Sequence, residues 1–66
     1  MAHKKNPMLR LKMKRIEKGL TQEELAKKVG VMRLSISNYE TGTRFPRKPI
    51  LDKLAEALEC NIADLF

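Results

Sequence analysis

Between Gln22 and Glu40 the chain sets two segments of about eight residues, each with one apolar side, around a single glycine. Helical residues step about 100° around the axis. On that wheel Leu25, Ala26 and Val29 share one side of the first segment. Met32, Ile36, Tyr39 and Glu40 share one side of the second. Gly30 permits the left-handed backbone that a sharp turn needs, and Val31 supplies an apolar plug for the corner. Two short helices packed across such a turn form a helix-turn-helix. The second helix then presents Leu34, Ser37, Asn38 and Thr41 outward, with Arg33 at its N-terminal flank. That face is short and mostly polar, and it can enter a duplex major groove about 12 Å wide.

Local signals extend the helical reading to the whole chain. Helix 1 is expected from about Pro7 to Lys18, with Asn6 as N-cap, Pro7 at the first position and Gly19 as its end. Leu9, Met13, Ile16 and Leu20 recur at spacings of four, three and four, which predicts the buried stripe. Helix 2, about Gln22 to Val29, opens on a capping box of Thr21 and Glu24. Helix 3 is expected from about Arg33 to Thr41, ending at Gly42. A basic loop, Thr43 to Lys48, holds Phe45 and Pro46. Helix 4 is expected from about Pro49 to Leu58, with Ile50 or Leu51, Leu54, Ala55 and Leu58 inward. Asn61 caps a final turn, Ile62 to Phe66. No segment alternates apolar and polar residues over a strand's length. The fold class is therefore all-α, five short helices with no strand.

Sixty-six residues allow one domain with one small core. Residues 1–6 are expected to form a flexible basic arm and residues 7–66 the folded domain. With 42% hydrophobic and 33% charged residues, the chain can bury a core. One cysteine closes no internal disulfide, which fits a reducing compartment. No apolar run approaches the roughly 18 residues of a membrane helix, and no apolar stretch follows the basic start. A cytoplasmic location is the expectation, with no membrane partner. Charge is uneven: residues 1–18 carry a net +6, residues 19–49 a net +3 and residues 50–66 a net −3. Such a basic front and acidic back suit a molecule that turns one side to a polyanion, although many basic small proteins bind no nucleic acid.

Gly19-Leu20-Thr21-Gln22-Glu23-Glu24-Leu25-Ala26, Gly30-Val31, Ile36-Ser37, Glu40-x-Gly42, Pro46 and Leu54-Ala55-x-Ala57-Leu58 stand in register. In this the chain resembles the phage repressor and Cro (Xre) family of helix-turn-helix regulators over about residues 8–66. The resemblance implies a five-helix, lambda-repressor-like bundle whose third helix docks in the major groove. It implies that Arg33, Leu34, Ser37 and Asn38 read bases, and that Gln22, at the start of helix 2, contacts a phosphate. It also places Thr43 and Arg44 on the DNA backbone and Arg15 with Glu40 in an ion pair joining helices 1 and 3. The wheel supports part of that last point: Glu40 lies on the inward side, where a carboxylate needs a cation. Four positions depart from the family pattern. Met32 stands at the N-cap of helix 3 where Ser or Thr is usual, Leu34 where an amide is common, Lys48 where an apolar residue is usual, and Glu59 where Gly often ends helix 4.

Each candidate carries an alternative. Arg33 can grip guanine O6 and N7 or hold a phosphate, and Asn38 can pair with adenine or touch phosphate. Leu34 can pack on a thymine methyl or fold back on the domain. Arg44, Arg47 and Lys48 form a phosphate clamp or a solvated loop. Phe45 meets a second subunit or plugs the core; the core is the expectation. Ser35 and Ser37 have no paired base, so no nucleophilic triad forms. No His, Cys and acid cluster holds zinc. The expected function is a sequence-specific double-stranded DNA-binding transcriptional regulator, a repressor acting as a homodimer. It is expected not to be an enzyme, with no cofactor, no metal and no small-molecule ligand. An antitoxin or restriction-modification controller of the same fold, acting with a protein partner, is the alternative.

Overall fold

The computed structural model describes residues 7–66. The basic arm expected at 1–6 and the Asn6 cap lie outside these residues. Four α-helices follow in order: α1 (Leu9–Glu17), α2 (Gln22–Val29), α3 (Arg33–Thr41) and α4 (Lys48–Ala57). A single 3-10 turn, Ile62–Leu65, closes the chain, and no strand occurs among the described residues. The expected fifth helix is therefore corrected to that turn. Its four residues close by the tighter pattern. The Asp64 amide donates to the Asn61 carbonyl at 2.9 Å, and the Asp64 carboxylate accepts from the Asn61 amide at 3.0 Å.

The central pair forms for local reasons. Thr21 Oγ1 accepts from the Glu24 amide at 3.0 Å, and Glu24 Oε1 accepts from the Thr21 amide at 2.8 Å. This reciprocal box satisfies two of the donors that a helix start leaves open. At the other end Gly30 takes φ 78°, and the amides of Gly30 and Val31 both donate to the Ala26 carbonyl. α3 starts at Arg33 after an extended Met32, whose side chain makes no capping hydrogen bond. α4 starts one residue earlier than expected, at Lys48. Its Pro49 sits in the first turn, where a missing amide hydrogen costs nothing.

The core lies between α2, α3 and α4, with α1 and the final turn closing it. Leu11, Leu25, Ile36, Leu54 and Leu65 are completely buried, and Met8, Val29 and Leu58 nearly so. Of the alternatives on α4, Leu51 is buried and Ile50 packs at the margin.

The stripe expected on helix 1 is overturned except at Leu20, which packs against the core. Leu9, Met13 and Ile16 are 60%, 58% and 57% exposed, whereas Met8, Leu11 and Arg15 are buried. Both sets have helical spacing, and apolar content alone favours the wrong one. The inward set is completed by an arginine, which a hydrophobicity pattern rejects. That arginine has a buried carboxylate waiting on α3, so α1 turns it inward. Pro7 precedes the helix, and the Met8 amide is tied to the Tyr39 carbonyl at 3.2 Å. Phe45 is also corrected: it is 54% exposed, while its neighbour Pro46 is buried. Its ring instead stacks on Phe66, with centroids 5.5 Å apart.

Candidate nucleic-acid interface

The burial pattern of α3 determines what that helix can offer. Ile36, Tyr39 and Glu40 face inward, which turns the opposite side to solvent. Arg33 and Leu34 are exposed there, and Ser37 and Asn38 are half-buried beside them. The four side chains stand together on one surface, near the start and middle of a nine-residue rod. Such a rod is about 13 Å long, a length that fits a groove without bending it.

Backbone bonds bring the following loop to the same surface. After Gly42 (φ 83°) the chain reverses, and the Asn38 carbonyl accepts from the amides of Thr43 (2.9 Å) and Arg44 (3.2 Å). Thr41 Oγ1 lies 3.2 Å from that carbonyl and 2.9 Å from Thr43 Oγ1. The loop is thus pinned to α3 by the residue that also presents the Asn38 amide. Arg44 and Arg47 are exposed and form no ion pair among the described residues. With Leu34, Asn38, Phe45 and Ile50 they line an open groove along α3. Lys48 is exposed too, but its Nζ sits 3.2 Å from both Asp52 carboxylate oxygens, so part of its charge is answered within α4.

Behind this surface lies a charged cluster that joins three elements. Arg15 Nε donates to Glu40 Oε2 at 2.6 Å, and Nη2 donates to Glu40 Oε1 at 3.2 Å. Nη1 donates to the Leu20 carbonyl at 2.8 Å, in the connection leading to α2. Gln22 Nε2 donates to Glu40 Oε1 at 3.0 Å. A buried carboxylate without such partners would be costly; here it receives three donors, two of them from a cation. The Gln22 bond has no counterpart in the sequence reading. Gln22 and Glu40 lie in different helices, and no periodicity relates them.

Other chemistry is weakly supported. Cys60 is half-buried, and burial, then the Asp64 carboxylate, push its thiol pKa up against the opposing pull of Lys14 and Lys18. It stays protonated near neutral pH and is a poor nucleophile. Among the described residues no three metal-ligating side chains come together. Among them no helix is long and apolar enough to cross a membrane.

Comparison with known proteins agrees with this geometry. Residues 11–65 match the helix-turn-helix family. A helix-turn-helix-type transcriptional regulator of Archaeoglobus fulgidus is 44% identical over 57 residues, which is 86% of this chain and 81% of that protein. The cryptic phage CTXphi transcriptional repressor RstR of Vibrio cholerae is 39% identical over 51 residues, 77% of this chain and 46% of RstR. Among solved structures, the restriction-modification controller protein C.AhdI from Aeromonas hydrophila superposes with a TM-score of 0.82 at 38% identity over 88% of both chains. The clp gene regulator ClgR from Corynebacterium glutamicum gives 0.81 at 30% identity, covering 86% of this chain and 61% of that one. The chain belongs to the helix-turn-helix family, of the Xre and Cro/C1 type.

Proposed function

We propose that this protein is a DNA-binding transcriptional regulator that recognises a specific duplex sequence as a homodimer and represses by covering it. The carrying observation is the outer face of α3, where Arg33, Leu34, Ser37 and Asn38 are clustered beside two unpaired arginines of the following loop. In this reading Arg33 and Asn38 hydrogen-bond base edges, Leu34 packs on a thymine methyl, and Ser37 adds a weakly selective contact. Gln22, Thr43, Arg44, Arg47 and Lys48 hold the phosphate backbone, which sets affinity and register and carries no sequence information. Two copies about a two-fold axis would read half-sites roughly 34 Å apart. No enzymatic step is assigned. The protein has no membrane role in this reading, and it works in the cytoplasm.

Selection of sites from a random duplex pool, followed by titration of two variants, tests the assignment. Arg33→Ala is expected to relax preference at one base position, a loss of about 1–3 kcal/mol on the selected site. Arg44→Ala is expected to weaken selected and random DNA equally and to lower the salt slope by about one. Equal behaviour of both variants on both DNAs would refute the division between reading and clamping. The likeness to C.AhdI favours one second reading, a controller working beside a protein partner. A neighbouring gene for a restriction enzyme or a toxin would select it.

A further inference from the structure

Gln22 opens α2, and its amide is the one side chain of that first turn that reaches into the buried charged cluster. Glu40 accepts and, as a carboxylate, has nothing to donate, so it dictates which way round the amide sits. The nitrogen must face Glu40, and the amide oxygen is turned to the other branch. One of the two N–H bonds is taken by Glu40 at 3.0 Å; no acceptor among the described residues takes the second. Arg15 neutralises the carboxylate through two hydrogen bonds, so a phosphate approaching Gln22 does not meet an uncompensated negative charge. Arg15 also holds the Leu20 carbonyl, which fixes the chain just before the α2 cap.

We propose that Glu40, held by Arg15, is a positioning residue for DNA backbone binding: it fixes the Gln22 amide so that its second N–H points to a phosphate at the start of α2. The inference rests on the reading that Gln22 meets a phosphate. The pair then does more than stabilise. It couples α3, which carries Glu40, to the backbone contact made from α2, so that the phosphate anchor and the reading helix move as one body. A free glutamine side chain would have to lose rotamer entropy on binding; here that cost falls on folding instead.

A random-sequence duplex is a sufficient probe, because a phosphate contact is independent of sequence. Gln22→Ala in the full chain is expected to weaken binding about tenfold, the size of one hydrogen bond to a charged group. The pair is then replaced by apolar residues, Arg15→Met with Glu40→Leu, a change that buried ion pairs often tolerate without loss of fold. In that background Gln22→Ala is expected to lose only about twofold, since its amide is no longer oriented. An equal loss in both backgrounds overturns the positioning role and leaves the phosphate contact standing. No loss in the wild-type background overturns the contact itself. A nitrogen-15 spectrum of the wild-type protein gives a readout that no variant's folding can obscure. Glu40 should slow the exchange of one Gln22 side-chain proton relative to an exposed glutamine, and added DNA should shift the other. Both protons exchanging as fast as those of an exposed glutamine, or neither moving on DNA addition, would refute the proposal.

Discussion

Glu59 has φ 56°, the one left-handed backbone outside glycine among the described residues. It follows the last residue of α4's cap, where a side chain crowds the backbone and glycine does not. Its carboxylate lies 2.6 Å from Lys18 Nζ at an exposed site, and such pairs stabilise little. Glu59→Gly is therefore expected to raise the urea midpoint at neutral pH; a lowered midpoint would show that the ion pair outweighs the strain. The Lys18 ammonium, by its hydrogen bond first and its charge second, holds the Glu59 carboxyl below the ordinary carboxylate value. The folded pKa is thus the lower one. The pair's contribution is complete above the ordinary carboxylate range and is lost as pH falls through the folded value. The stability gap between wild type and Glu59→Gln should close on acidification. Met32 makes a second residue-scale case. It occupies the N-cap of α3 in extended conformation, 76% exposed, with no capping bond. Met32→Ser should add about 1 kcal/mol to stability, read from chemical denaturation. The cap position and its absent hydroxyl were legible in the sequence; at 59 the resemblance marked only a departure from glycine, and the left-handed backbone came from the folded chain.

At the scale of elements, α1 shows where pattern reading stops. Leu11 is completely buried, and Leu11→Ala should cost about 2–5 kcal/mol. Met13→Gln and Ile16→Gln, on the stripe that hydropathy alone selects, should each change stability by less than about 0.5 kcal/mol. Thermal melts of the three variants separate the two faces, and a large loss at Ile16 would restore the apolar stripe as the core. α2 and α3 gave no such conflict, apart from Met32, which the wheel set beside Ile36 and Tyr39 and which is 76% exposed at the N-cap. Leu25, Ala26 and Val29 on α2, and Ile36 and Tyr39 on α3, offer one inward face each, and those faces are buried. α1 offers two, and the choice depends on the carboxylate of Glu40, 25 positions away in the chain. The final turn is held locally by the reciprocal Asn61 and Asp64 bonds, and the completely buried Leu65 anchors it.

Across the whole molecule the apolar surface near the C-terminus bears on assembly. Phe45 and Phe66 stack on each other and are 54% and 50% exposed, with Ile50 at the edge. These residues are the candidates for the contact in the proposed dimer, where a two-fold axis would set the patch against its own copy. Phe45→Ser with Phe66→Ser is expected to leave the fold intact and to shift sedimentation on DNA from two copies per site to one. An unchanged stoichiometry would move the dimer contact elsewhere. The groove beside α3 ends at this same surface, since Phe45 and Ile50 line it together with Leu34 and Arg44. Reading and pairing would then share one continuous face.

Helix existence, most helix ends and the outward side of α3 followed from residues taken a turn at a time. Capping hydroxyls, glycine's access to positive φ and the burial of apolar side chains act over three or four positions, and no distant partner is needed to see them. Three features needed the folded chain: which face of α1 turns in, the threefold acceptance at Glu40 from α1 and α2, and the stacking of Phe45 on Phe66 instead of on the core. Each joins groups far apart in the chain, and each is decided by what a buried charge or a large ring finds beside it once the helices have packed.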